Sequence, residues 1–276
     1  YSLEPMIYGS PPLIVYRQQP NDKPRIRIPD SMLSDIVEFH HLALSHVGMM
    51  RLQRSITANF EHPNLNAECM RVALKCETCQ KTKLFGRGHG HLPPRESHYA
   101  PWQEVAVDLI GPWTLYDVNG NEHVFTTLTI VDTVTTHCEI VLLRNKTAHH
   151  VGHQFENQWL ARYPRPARCV FDQGNEFLGE AFQAVLRRHG IHPAASTVKN
   201  PQSNAVCERL HQSIGNALRV LNYNRPPETG LDATERIESA LQTAAHAART
   251  ATHSTLKESP GNMACCLLYT SPSPRD

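Results

Sequence analysis

Apolar positions recur along this chain with two periods, and the change from one to the other outlines a fold. Val105-Ala106-Val107 and Leu109-Ile110 form an apolar run that predicts a strand, broken by Gly111-Pro112. His123–Asp132 and Thr136–Leu143 are rich in β-branched and aromatic residues, and read as two strands of a meander after the Asn119-Gly120-Asn121 turn. Arg168-Cys169-Val170-Phe171 predicts a further short strand. The period then lengthens. Phe182, Val185 and Leu186 fall at i, i+3 and i+4, which predicts a helix after Gly179 that Gly190 stops. After Pro201, a helix buries Val206, Leu210, Ile214, Ala217 and Leu221. Upstream, Cys69 keeps helical spacing with Leu65, Val72 and Cys76 and reads as core.

Three acids stand out against this pattern. Asp108 interrupts the first apolar strand, Asp172 directly follows Phe171, and Glu208 lies two residues past Val206, about 200° around the helical wheel and off the buried stripe. Residues 173 to 207, 35 in number, separate the last two. Taken singly, an Asp at a strand end forms a turn and a Glu on a helix faces solvent. Converging from two strand ends and a helix, three carboxylates can hold a pair of Mg²⁺ or Mn²⁺ ions. Hard hydrated cations prefer oxygen ligands, and two of them activate an oxygen nucleophile and steady the leaving oxygen of a phosphodiester.

A second constellation is His41, His46, Cys76 and Cys79, with the spacing His-x₄-His, 29 residues, Cys-x₂-Cys. Cys-x₂-Cys sets two thiolates on one tight turn, and two histidines complete a tetrahedral Zn²⁺ site. A small helical segment with little core gains folding energy from one structural zinc. His40 also fits a loose histidine spacing. Among the 17 histidines, His62, His89, His91, His149, His150 and His153 have no such partner set.

Composition narrows the class. The 276 residues are 40% hydrophobic and 19% charged, ordinary for a soluble chain with one medium and one small domain. There is no 18-residue apolar run, so no transmembrane helix and no membrane partner is expected. The eight cysteines are scattered rather than framed as disulfides, which points to an intracellular, reducing setting. Net charge is +1, but residues 1–98 hold 12 Lys/Arg against 9 Asp/Glu, and residues 99–255 hold 13 against 15. Few cations are concentrated here, so much of any grip on DNA is expected from other parts or from neighbouring subunits. Trp102, Trp113 and Trp159 read as packing residues, and Asp132 as a structural acid beside a turn.

Asn200, Gln202, Ser203 and Asn204 form a polar loop ahead of the Glu208 helix. Amide side chains and backbone N–H groups there suit phosphates and base edges, and serve turn and capping chemistry equally well. Lys199 is a candidate phosphate contact, and Arg209 and Gln212 flank the acid.

Asp108, Asp172 and Glu208, with Tyr163-Pro164-Arg165-Pro166, Asp172-Gln173-Gly174-Asn175-Glu176-Phe177 and the Asn200–Arg209 block, resemble the D,D-35-E integrases of Ty3/gypsy-type LTR retrotransposons, from about Ile28 to Gly261. The resemblance implies an α/β fold: an RNase H-like core, a five-stranded mixed sheet flanked by helices, preceded by a small helical HHCC zinc-binding domain. In that family x₄ spacing favours His41 over His40. The resemblance further implies metal-dependent 3′-end processing and strand transfer of DNA, with Asp108 shared by two metals, Asp172 on one and Glu208 on the other. It implies homo-multimers on element ends and target DNA, in the nucleus. A relic that kept zinc and DNA contacts without catalysis, and another RNase H-like nuclease, are the rival readings.

The expected layout is a Pro-rich extended lead-in (1–29), a zinc-binding module (30–85) opened by Asp30 as N-cap, a Gly/Pro linker (86–98), the catalytic core (99–255) and a truncated post-core segment (256–265). Residues 266–276 read like the translation of a sequencing-library adapter and are left out of fold reasoning. Because Tyr1 is not Met, the chain is expected to start inside a longer reading frame.

Overall fold

The computed structural model describes residues 1–4, 12–19, 22–82, 100–195, 210–212, 214–216, 218–219, 227–253 and 257–266. The linker 86–98 and residues 267–276 lie outside them.

Five strands form the larger sheet: β5 (Glu104–Tyr116), β6 (Glu122–Asp132), β7 (Cys138–Leu143), β8 (Arg168–Phe171) and β9 (His192–Ala195), in the order β7-β6-β5-β8-β9. β5, β6 and β7 run antiparallel as the predicted meander, and β8 and β9 join parallel to β5. The sheet is therefore mixed, in an α/β arrangement. Both faces are covered, which explains why the strands read as nearly continuous apolar runs. Val105, Val107, Leu128, Ile130, Cys169 and Phe171 face helices α5 (Ala148–Phe155) and α6 (Glu180–Arg188), meeting Val151, Phe155, Phe182 and Leu186. Phe125 and Ile140 turn the other way, toward Ile214, Leu218 and the long helix Gly230–Thr250 through Ile237, Leu241 and Ala245. That helix is capped by Thr229, whose Oγ1 accepts from Asp232 N at 3.1 Å. At its far end Arg249 donates to the Cys138 carbonyl (3.3 Å) and pairs with Glu139 (3.1 Å). Leu210, Ile214 and Leu218 continue the predicted apolar stripe, while Val206, Ala217 and Leu221 lie outside the described residues.

Three expectations change. Gly111-Pro112 does not end the strand. β5 runs on to Tyr116 through a register shift between Ile110 and Trp113. Pro112 has no N–H to give the ladder, and the irregularity absorbs it. Gly111 makes this possible: its φ is +116°, and a Cβ there would sit 2.8 Å from the Phe125 carbonyl oxygen.

The Pro-rich lead-in is the second. Its extended segments pair into a sheet: β1 (Ser2–Glu4), β2 (Leu13–Tyr16), β3 (Arg25–Arg27) and the short β4 (Phe60–Glu61), in that order. The alternation in Leu13-Ile14-Val15-Tyr16 and Arg25-Ile26-Arg27-Ile28 is short and masked by nearby prolines. It nonetheless buries Val15 and Ile28 completely or nearly so. Ile28 joins the core of the helical module formed by α1 (Leu33–Ala43), α2 (Met49–Thr57), α3 (Leu65–Lys75) and α4 (Glu77–Thr82), with Leu33, Val37, Leu52, Ile56, Leu65, Cys69 and Val72. Asp30 is not an N-cap. It is the first residue of a 3₁₀ turn (Asp30–Met32), and its carboxylate lies 2.8 Å from His62 Nε2, so His62 has a carboxylate partner rather than a metal set.

Among the described residues no helix is long and apolar enough to cross a membrane. Cys69, Cys76, Cys79, Cys138 and Cys169 are free thiols.

Candidate functional site

The core site begins with strand alternation. Ala106, Asp108 and Ile110 share one face of β5, because successive side chains point to opposite sides. Ala106 packs there with Val170 and Leu210, and Ile110 against the cluster holding Ile214. β8 pairs parallel with β5, with Ala106 opposite Val170. Asp108 and Asp172 each lie two residues beyond that last registered pair. Asp172 follows the last residue of β8.

Local backbone groups orient both acids. Asp108 Oδ1 accepts from Leu109 N at 2.8 Å, and Asp172 Oδ1 accepts from Gly174 N at 3.0 Å. A Cβ on Gly174 would come within 3.0 Å of that same Asp172 oxygen, so the bare glycine lets the turn close around the carboxylate. Glu208 lies outside the described residues, as do Lys199, Asn200, Gln202, Ser203, Asn204 and Arg209. Gln212 is helical and exposed.

The site contains a residue that sequence reasoning missed. His211 lies on the helical stretch above the sheet, with Nε2 3.0 Å from Thr129 Oγ1 and Nδ1 4.0 Å from Asp108 Oδ2. Thr129 is the residue directly opposite Asp108 on β6, and its hydroxyl also donates to the Asp108 carbonyl at 3.1 Å. Burial lowers the His211 imidazole below its ordinary pKa. The signal was available: His211 lies three residues past Glu208, about one turn along the helix that the apolar spacing predicts.

Other acids stay structural. Asp132 is fully buried and accepts from Trp102 N (2.9 Å), Thr135 N (2.8 Å) and Thr135 Oγ1 (2.5 Å), tying the β6–β7 turn to the start of β5. Trp102 and Trp159 are buried with Tyr163 in one aromatic cluster.

The second centre lies in the helical module. His41 is in the last turn of α1, and His46 follows a sharp turn in which its N–H donates to the His41 carbonyl at 2.7 Å. Cys76 closes α3 and Cys79 lies in α4. One ligand atom from each of the four falls within 4.8 Å of every other. Neighbouring separations are 3.2 Å (His41 Nε2 to His46 Nδ1), 3.3 Å (Cys76 Sγ to His46 Nδ1) and 3.3 Å (Cys79 Sγ to His41 Nε2). Ligands of one tetrahedral zinc at its usual bond lengths lie about 3.3–3.8 Å apart, so this donor set fits that ion. His40 points elsewhere: its Nδ1 is 2.7 Å from the Ile36 carbonyl and its ring meets Phe60 edge-on.

Residues 28–84 match the integrase zinc binding domain, and residues 109–201 match the integrase core domain. The chain belongs to the integrases. Curated relatives of this integrase include the transposon Tf2-3 and Tf2-4 polyproteins of Schizosaccharomyces pombe, each 23% identical over 234 residues. That alignment takes in 83% of this chain and 17% of each polyprotein, so the chain spans about a sixth of their length. A simian T-cell lymphotropic virus intasome, solved in complex with the PP2A regulatory subunit B56 gamma, shares the fold at a TM-score of 0.54 and 15% identity, over 86% of this chain and 73% of that one. The catalytic core domain of BIV integrase is covered to 97% by 61% of this chain, at 18% identity and a TM-score of 0.46.

Proposed function

We propose that this chain is the integrase segment of an LTR retrotransposon, carrying out 3′-end processing and strand transfer of DNA at a centre made of Asp108, Asp172 and Glu208. The reading is supported by the β5–β8 register, whose last pair, Ala106 and Val170, lies two residues before Asp108 and two before Asp172, next to and within the stretch that matches the integrase core domain. Two divalent ions, Mg²⁺ or Mn²⁺, when held by these three carboxylates would activate the attacking oxygen and stabilise the departing 3′-oxygen. The chain itself presents the acids. Leu109 N and Gly174 N fix one oxygen of Asp108 and of Asp172. Water is the first nucleophile, and the freed 3′-hydroxyl then attacks a target phosphate in line, with no covalent protein–DNA intermediate.

His41, His46, Cys76 and Cys79 hold one structural zinc in the module that precedes the core. Lys199, Asn200, Gln202, Ser203, Asn204, Arg209 and Gln212 are proposed to contact DNA near the third acid. Two element ends must join one target, so a homo-multimer acting in the nucleus is the expected assembly.

The test is a strand-transfer assay with element-end duplexes, comparing this chain with its Asp108→Asn, Asp172→Asn and Glu208→Gln forms. Joining by the parent, and only background by each variant, is the expected result. Equal joining by Asp172→Asn refutes the enzyme reading, and cleavage of hybrid RNA without DNA joining assigns the chain to another RNase H-like activity.

A further inference from the structure

The N-terminal sheet has two unlike faces. Val15, Ile26 and Phe60 stand side by side in its register and form the inner one; Val15 is fully buried, and Phe60 packs on the core of the helical module. Alternation turns their neighbours outward. Leu3 lies opposite Ile14, Tyr16 opposite Arg25 and Arg27 opposite Glu61, all on the outer face. The Tyr1 ring meets that of Tyr16 at 5.4 Å between centroids. The Arg25 guanidinium lies 5.2 Å from the Tyr16 ring centroid, and that of Arg27 lies 5.7 Å from Tyr1's. Glu61 holds Arg27 at 2.9 Å and also accepts from Tyr1 Oη at 3.1 Å. Arg25 has no carboxylate partner among the described residues. Tyr1, Leu3 and Ile14 are 72%, 68% and 51% exposed.

A sheet face open to water is ordinarily polar. This one sets rings and aliphatic side chains in the open, with guanidinium groups laid over the rings. We propose that it is a binding surface for an unpaired DNA strand. Aromatic side chains stack on any base, whatever the sequence, and arginines neutralise the phosphates that link the bases. The charge agrees: residues 1–28 carry Arg17, Lys23, Arg25 and Arg27 against Glu4 and Asp22. A purely apolar protein patch would cover the rings and leave the Arg25 charge without an anion. Duplex DNA hides the flat faces of its bases in its own stack, so the surface favours unpaired nucleotides. Trimming one strand of a duplex at its 3′ end leaves the opposite strand unpaired there, so the proposed reaction generates such a ligand. The surface stands on its own residues and not on that chemistry.

The experiment uses the whole chain, loaded with zinc and without added Mg²⁺ or Mn²⁺. Binding of a fluorescent oligothymidylate of about 12 nucleotides, within the range of site sizes common for single-strand binders, is followed by anisotropy over a series of salt concentrations. Tyr16→Ala should weaken binding by about 5–150-fold, the usual effect of removing one stacking ring. Arg25→Gln should make the fall of log K with log salt shallower by about 0.7, the share of one phosphate contact on a single strand. A duplex of the same length should bind more weakly than the single strand and respond little to Tyr16→Ala. Photo-crosslinking of the parent chain to an iodouracil-substituted strand, mapped by mass spectrometry, involves no substitution and decides the matter even where a variant folds poorly. Crosslinks at Tyr1 or Tyr16 are expected. Crosslinks confined to residues 100–195 place the strand on the core and overturn the proposal. So does single-strand binding indifferent to both Tyr16→Ala and Arg25→Gln, or a face that pairs two copies of the chain and yields no crosslink. None of these results bears on strand transfer by the three acids, so the two readings fail separately.

Discussion

His137 should make the core acid-labile in a measurable way. Its ring is buried beside Trp102 (5.6 Å between centroids) and Tyr163 (5.2 Å), and neither ring nitrogen has a hydrogen-bond partner among the described residues. Burial drives its pKa from the ordinary 6.5 to about 4; nearby Arg249 adds to the drop and Glu139 opposes it. The sign follows from which state binds the proton. As pH falls below about 6.5 the unfolded chain takes up a proton that the folded chain refuses until near pH 4, so stability drains away across that window. For a single group with these two values the loss is about 2 kcal/mol at pH 5 and about 3 kcal/mol at pH 4. His137→Phe keeps a flat ring in the aromatic cluster and cannot take up that proton. At pH 7 it should lie within about 1.5 kcal/mol of the parent, as a near-isosteric core exchange does. At pH 5 it should have gained about 2 kcal/mol on the parent. Urea melts followed by Trp fluorescence at pH 7, 6, 5 and 4.5 would measure this, since Trp102 and Trp159 flank the site. Parallel loss of stability in parent and variant between pH 6.5 and 4.5 refutes the reasoning.

Two more outcomes test the framework. Asp132→Ala strips a common acceptor from two backbone N–H groups and one hydroxyl inside the core, which at about 1–3 kcal/mol for each stranded donor should cost about 3–6 kcal/mol after relaxation; a thermal or urea melt that shifts by less than about 1 kcal/mol would show that the network adds nothing net. Cys79→Ser, or a strong zinc chelator, should reduce bound zinc from one ion per chain and open residues 28–84 to limited proteolysis while the core sheet stays resistant; a chelated protein as resistant there as the loaded one would mean that the eight-residue apolar core of the module suffices alone.

Periodicity by itself determined most of the core. The meander, the short strand ending at Phe171 and the helix carrying Phe182, Val185 and Leu186 were legible because alternation and the i, i+3, i+4 stripe report burial directly. The histidine–cysteine set was legible because metal ligands are few in kind and keep tight local spacing. What lay beyond sequence was pairing. The strands within residues 1–29 are three or four residues long and have meaning only once they bond to one another and to Phe60–Glu61. Gly111-Pro112 ends a strand by local propensity, yet the neighbouring β6 holds the chain extended beyond it, because ladder bonds on either side outweigh one missing N–H. Asp30 was placed as a cap by its neighbours in sequence, but a histidine 32 residues away takes up its carboxylate. His211 looked like one more of 17 histidines until the fold brought it over Thr129, 82 residues distant, and turned its other nitrogen toward Asp108. Patterns along the chain say which residues are buried. Only the closed sheet, with a helix laid across one face, says which polar groups are buried together.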